Sequence, residues 1–131
     1  MNHDEILRYC LSKPGAFLDH PFGPGTAVIK IKSARGAARI FAQLFSLDGQ
    51  AKATFNCDMM TGEFYRSAYP SAVTRGYHCP PVQQPYFNTL SLDGAVPGVD
   101  IVRMIDHAYQ TVVGRMPRYA RKELEDMARE A

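Results

Sequence analysis

The sequence predicts an α+β fold, an antiparallel sheet with helices packed on one face. Strand-like runs are grouped in the middle of the chain, helix-like runs flank them, and the first strands are joined by connections too short for parallel crossovers. The 131 residues, 46% hydrophobic and 21% charged, suit one globular domain and exclude disorder. A chain of this size buries about two thirds of its unfolded surface, so it needs neither metal nor disulfide to fold.

Residues 2–12 read as a helix. Asn2 caps it, Glu5 holds the reciprocal capping-box position, and Ile6, Leu7, Cys10 and Leu11 form one apolar stripe. Lys13-Pro14-Gly15 stops it, and the Pro- and Gly-rich stretch from Asp19 to Gly25 reads as a structured loop. Three strands follow as a meander. Val28 to Lys32 alternates, with Ile29 and Ile31 opposite Lys30 and Lys32. Arg39 to Leu47 is the second strand, Asp48-Gly49 is a hairpin signal, and Gln50 to Cys57 is the third. In the third, Ala53, Phe55 and Cys57 stand opposite Lys52, Thr54 and Asn56.

Asp58 caps a helix over 58–69, with Met59, Met60, Phe64 and Tyr65 as its apolar contacts and Gly62 as a weak point. Short strands are expected at Thr74 to Cys79 and Tyr86 to Leu92, separated by Pro80-Pro81. Ile101, Ile105, Ala108, Tyr109, Val112 and Val113 mark the longest amphipathic helix, which Gly114 ends. Pro117 opens a last helix that docks through Ala120, Leu124, Met127 and Ala128, with Lys122–Asp126 and Glu125–Arg129 as surface pairs. Its positive start and negative end oppose the helix dipole, so docking must supply its stability and leaves Arg118, Arg121 and Lys122 open to an anionic partner.

Fifteen Lys and Arg against thirteen Asp and Glu leave a net charge of +2, which selects no partner. The chain has no run of eighteen apolar residues, so no membrane span is expected. The start, Met1-Asn2-His3-Asp4-Glu5, is polar and acidic, unlike a secretory signal. Cys10, Cys57 and Cys79 are widely spaced and read as reduced thiols of a cytoplasmic protein.

Several motifs then fall in a familiar order. They are Tyr9-Cys10-Leu11-Ser12-Lys13-Pro14-Gly15, His20-Pro21-Phe22-Gly23-Pro24, Asn56-Cys57-Asp58, Tyr69-Pro70, Gly76-Tyr77-His78, Phe87-Asn88-Thr89-Leu90, Leu92-Asp93-Gly94 and Met104-Ile105-Asp106-His107-Ala108-Tyr109. On these the chain resembles the MmcQ/YjbR family, small bacterial proteins commonly labelled DNA-binding, over residues 1–118. Residues 119–131 read as a C-terminal helical extension of the same domain. The resemblance implies a fold similar to CyaY and frataxin. One stretch departs from the family pattern. Where members usually carry Asn-Lys-x-His-Trp, this chain has Pro81-Val82-Gln83-Gln84-Pro85-Tyr86-Phe87.

Two sets of residues are candidates for binding. Lys30, Lys32, Arg35, Arg39, Lys52 and Asn56 suggest a basic sheet face that neutralises phosphates of DNA, unless they are simply a solvated, edge-protecting face. Tyr77, His78, Tyr86, Phe87 and Asn88 suggest a site for a small molecule or a protein beside a Pro-rich turn. A flat basic surface favours DNA and a pocket favours the second reading. No nucleophile elbow, phosphate loop or metal-ligand spacing occurs, so no catalytic residue, metal or cofactor is expected. The first helix offers only Asp4 and Glu5 against Arg8 and Lys13, too few oxygen ligands for frataxin-like iron binding. Asp106 and His107 diverge by about 100° on their helix and read as structural. Cys10 and Cys57 read as core residues, and Cys79 as the thiol to test for reactivity.

Overall fold

The computed structural model describes residues 1–76 and 79–130. Helix α1 (His3–Leu11) opens with the expected capping box: Asn2 accepts from the Glu5 amide at 2.9 Å and Glu5 accepts from the Asn2 amide at 3.0 Å. Four strands then form a meander: β1 (Ala16–Asp19), β2 (Ala27–Ile31), β3 (Arg39–Leu47) and β4 (Gln50–Asn56). Strand β1 extends the expected three-stranded meander. The β3–β4 hairpin closes through Asp48 and Gly49 at φ 51° and 79°, as a two-residue hairpin turn requires. Helix α2 (Met59–Ala68), β5 (Val73–Arg75), a 3-10 turn (Gln84–Tyr86), β6 (Phe87–Ser91), α3 (Gly98–Gly114) and α4 (Arg118–Glu130) complete the chain. All strand pairs are antiparallel, and the sheet order is β1-β2-β3-β4-β6-β5.

Cross-strand partners share a face, so the register sorts the sheet into an inner and an outer side. The inner rows are Leu18, Ile29, Ala42, Phe55, Asn88, Arg75 and Ala27, Leu44, Ala53, Leu90, Val73. Apart from Leu18, which is exposed at the sheet edge, their apolar members pack into one core with Ile6 and Cys10 of α1, Tyr65 of α2, Ile101, Ile105 and Ala108 of α3, and Ala120 and Leu124 of α4. The helices therefore cover one face, as the fold class predicted. Tyr9 and Lys13 bind Asp106 Oδ1 at 2.6 and 2.5 Å and tie α1 to α3. The backbone N–H of Asp58 donates to His107 Nε2 at 3.1 Å, so His107 supports the start of α2.

Several expectations need correction. Met59, Met60 and Phe64 do not pack inward: they are 54%, 84% and 64% exposed. The packing side of α2 carries Gly62 and Tyr65 instead. A Cβ on Gly62 would lie 2.7 Å from Cys57 Sγ, so the missing side chain is what lets the helix approach. On α4, Ala128 is exposed and the expected pairs give way to one between Arg129 and Asp126. Helix α4 is nevertheless docked. Leu124 is 2% exposed, its Cδ2 sits 2.5 Å from where a Gly15 Cβ would be, and Glu123 pairs with Arg35 at 3.1 Å. Among the described residues no helix is long and apolar enough to cross a membrane.

Candidate binding cleft on the outer sheet face

Helices α1, α2, α3 and α4 pack on the inner side, yet parts of the outer side of the sheet are also buried. One row runs across all six strands through Asp19, Val28, Gln43, Thr54, Thr89 and Thr74. Val28 is fully buried in it, and Thr54 and Thr89 are 4% and 6% exposed, with their hydroxyls 2.7 Å apart. Loops therefore cover this side where helices do not.

One covering loop is the 20–26 segment. It is built from consecutive turns, with Gly23 N–H donating to His20 O and Thr26 N–H to Gly23 O, while His20 Nδ1 lies 3.1 Å from Thr26 O. Gly23 at φ 96° takes the left-handed backbone that this tight course requires. Phe22 stands at the tip, 67% exposed. The other segment carries Cys79, whose carbonyl accepts from Gln84 Nε2 at 3.1 Å. Gly76 lets it close over β6: a Cβ there would stand 2.6 Å from Phe87 Cβ and 2.7 Å from Cys79 Sγ.

Between these loops lies a cleft of about 460 Å³, lined by Phe22, Thr26, Gln43, Phe45, Ser46, Leu47, Thr54 and Cys79. None of these lining residues carries a formal charge. Two aromatic rings and Leu47 supply apolar area, and one amide and three hydroxyl residues supply hydrogen-bonding groups. Cys79 is half-buried and burial raises its thiol pKa. Burial pushes the Cys10 and Cys57 thiols further, to about 12 and about 11.

The basic set predicted from sequence is dispersed. Lys30 is on the outer face but pairs with Asp19 at 2.7 Å, which holds that carboxyl below its usual range. Lys32 lies just past β2 and turns its ammonium to the Ser33 and Ala34 carbonyls. Arg35, in the next turn, pairs with Glu123 and stacks on Tyr119. Arg39 opens β3 and is exposed. Lys52 is on the outer face and donates to Ser91 Oγ at 2.6 Å. Lys30 and Lys52 pair with Ile40 and Phe45 of β3, five residues apart along that strand, or about 17 Å at ~3.4 Å per residue. Asn56 is 9% exposed and does not present its amide to solvent.

The second set is divided as well. Tyr77 and His78 lie outside the described residues. Tyr86 and Phe87 line a separate shallow groove with Gln83 and Arg115. Asn88 is on the inner face, where it accepts from Arg66 Nη1 at 2.7 Å and donates to Gly62 O at 3.1 Å. The residues predicted from sequence point to this turn, whereas the cleft is also walled by Phe22, Gln43, Phe45 and Leu47, which are not among them. The signal was the period-2 spacing of Gln43, Phe45 and Leu47 along β3, which puts three non-charged side chains on one side. Among the described residues no group of three His, Cys, Asp or Glu could hold a metal ion.

Comparison with known proteins agrees with the fold. A family model described as YjbR matches residues 11–111. Proteins named "Uncharacterized protein YjbR" from Escherichia coli K12 and O157:H7 are each 26% identical over 124 residues, covering 95% of this chain and 98% of theirs. A crystal structure of a Deinococcus radiodurans protein of domain family DUF419 superposes with TM-score 0.83 at 25% identity, over 95% of this chain and 88% of that one. A Pseudomonas syringae protein of known structure shares the fold, with TM-score 0.67 at 18% identity over 85% and 98% of the two chains.

Proposed function

The chain belongs to the YjbR family, and from that premise we propose that it is a non-enzymatic, cytoplasmic binding module whose outer-face cleft takes a small neutral molecule. The observation that carries this reading is the cleft of about 460 Å³ on the outer side of the sheet, whose described lining residues carry no formal charge. Its size falls within the roughly 300–1,000 Å³ of small-molecule sites. Phe22 offers an exposed ring for stacking, and Gln43, Thr26 and Ser46 offer donors and acceptors to orient a ligand. The cleft favours the small-molecule reading over DNA because a polyanion needs a continuous run of free cations. Lys30 and Arg35 here are each occupied by a carboxylate.

The test uses neutral aryl carboxamides as probes on the full chain, followed by amide NMR shifts and by alkylation of Cys79. Binders are expected to shift residues 22, 43–47 and 54 and to slow alkylation of Cys79, and Phe22→Ala is expected to weaken them. Probes that bind elsewhere, or leave Cys79 equally reactive, refute the cleft. Duplex DNA is the competing arm: steeply salt-dependent shifts at Lys30, Lys32, Arg39 and Lys52 would favour the basic face instead.

A further inference from the structure

Helix α4 begins with three cations on one face: Arg118, Arg121 and Lys122, at helical spacings of three and four. All three are exposed, and none takes part in the ion pairs among the described residues. Of the nearby carboxylates, Glu123 is engaged by Arg35 and Asp126 by Arg129, and Glu125 shares the exposed face with the cations without pairing to them within 4 Å. Arg118 and Lys122, four apart, repel each other, and all three sit at the end of the helix where its dipole disfavours cations. Helix α4 tolerates this because Ala120 and Leu124 bury its other side.

The three cations and Glu125 line a shallow groove of about 620 Å³. Across Arg121 and Glu125 it continues into a second groove of about 480 Å³ that includes Lys13, Gln110 and Tyr109. We propose that the groove formed by Arg118, Arg121 and Lys122 binds a compact polyphosphate group through its guanidinium and ammonium donors. Guanidinium forks match phosphate oxygens, and several clustered charges answer three unpaired cations better than one does. The extent of the patch selects the ligand. Arg118 and Lys122 lie four residues apart, about 6 Å along the helix axis. Beyond them the helix carries Glu123, Glu125, Asp126 and Glu130. A long duplex would run its next phosphates into those carboxylates, whereas a short phosphate chain would not.

The probe is inorganic tripolyphosphate, titrated into the full chain at low salt by calorimetry and NMR. Inorganic phosphate and a short DNA duplex are run beside it. Tripolyphosphate is expected to shift Arg118, Arg121 and Lys122, to bind at least about tenfold more tightly than phosphate, and to weaken as salt rises. Arg118→Glu with Lys122→Glu is expected to reduce binding by about tenfold or more. The same pair places acids where the dipole favours them, so the melting temperature should hold or rise, which separates lost binding from lost fold. Glu125→Gln should tighten binding. Absence of binding at low salt, binding that survives the double reversal, equal affinity for phosphate, or tighter binding of the duplex at these residues each overturns the proposal.

Discussion

Leu124→Ala tests whether the last helix belongs to the folded body. Leu124 is 2% exposed and its Cδ2 lies against the Cα of Gly15, in one core with Tyr109, Met116 and Ala120. Truncation removes three carbons from water-free packing and leaves a cavity, and deep Leu→Ala changes cost about 2.7–5 kcal/mol. Leu124 also borders the groove shared by α3 and α4, so solvent and side-chain relaxation can fill part of the space. The lower end, about 2–3 kcal/mol, is the expected loss. For a domain of this size each kcal/mol moves the melting temperature by about 4 °C, which gives a fall of about 8–12 °C. Thermal melts and urea titrations with an unchanged slope are the assay. Glu130→Ala, at the exposed end of the helix, serves as the control within about 0.5 kcal/mol. A shift below about 2 °C for Leu124→Ala would refute the docked helix and mean that α4 adds nothing to the fold.

Gly15→Ala should be more damaging than its size suggests, by about 2–4 kcal/mol in urea titrations. Gly15 has φ 76°, and its new Cβ would meet Leu124 Cδ2 at 2.5 Å and the Lys32 carbonyl at 2.6 Å. Adding Leu124→Ala should relieve only the first contact. Asn88→Ala should lose about 2–3 kcal/mol in the same assay, because it strands both the Arg66 guanidinium and the Gly62 carbonyl. Asp106→Asn should flatten the pH dependence of stability at both ends. Burial opposes ionisation of Asp106, but bonds from Lys13 and Tyr9 outweigh it and hold its folded pKa below 3.8. The stability this gives is present above the unfolded value and lost as pH falls through the folded one. Tyr9 has the opposite sign. It is raised above 10.0, first by its bond to Asp106, so its contribution is lost as pH rises through the folded value. Melts from pH 2 to about 11 should show the wild-type advantage, about 1 kcal/mol for this partly exposed pair, only between those limits.

Local chemistry made much of this fold legible. The capping box of α1, the Asp48-Gly49 hairpin and the apolar stripe of α3 are each written within a few neighbouring residues, and each is present. What the sequence hid depends on distant partners. Strand β1 is four residues long with Phe17 and Leu18 both about two-fifths exposed, so it has no alternation to read, and it exists through pairing with β2. The alternation of β2 and β3 is broken by a register shift at Ile29/Lys30, which leaves Phe41 as an extra residue beside Ala42, both buried. On α2 the helical period fits two faces. By propensity Gly62 is a weak point, yet its closeness to Cys57 and Pro85 decides which face packs. The cleft was hidden for a related reason. Its walls come from residue 22, the end of β3 and residue 79, which only the folded sheet assembles.

The two-residue turn between β3 and β4 also bears on the order in which the chain folds. Pairing β3 with β4 closes the shortest loop in the sheet, whereas pairing β4 with β6 encloses some thirty residues, including all of α2. Closure entropy grows with loop length and is met before distant contacts compensate it, so the hairpin is expected in the folding nucleus, with β6 and β5 joining later. Gly49 is a clean probe of this sequence of events. It has φ 79°, and a Cβ there meets no atom within 4 Å, so Gly49→Ala introduces backbone strain alone. Strain at a turn already formed in the transition state slows refolding and leaves the unfolding rate almost unchanged.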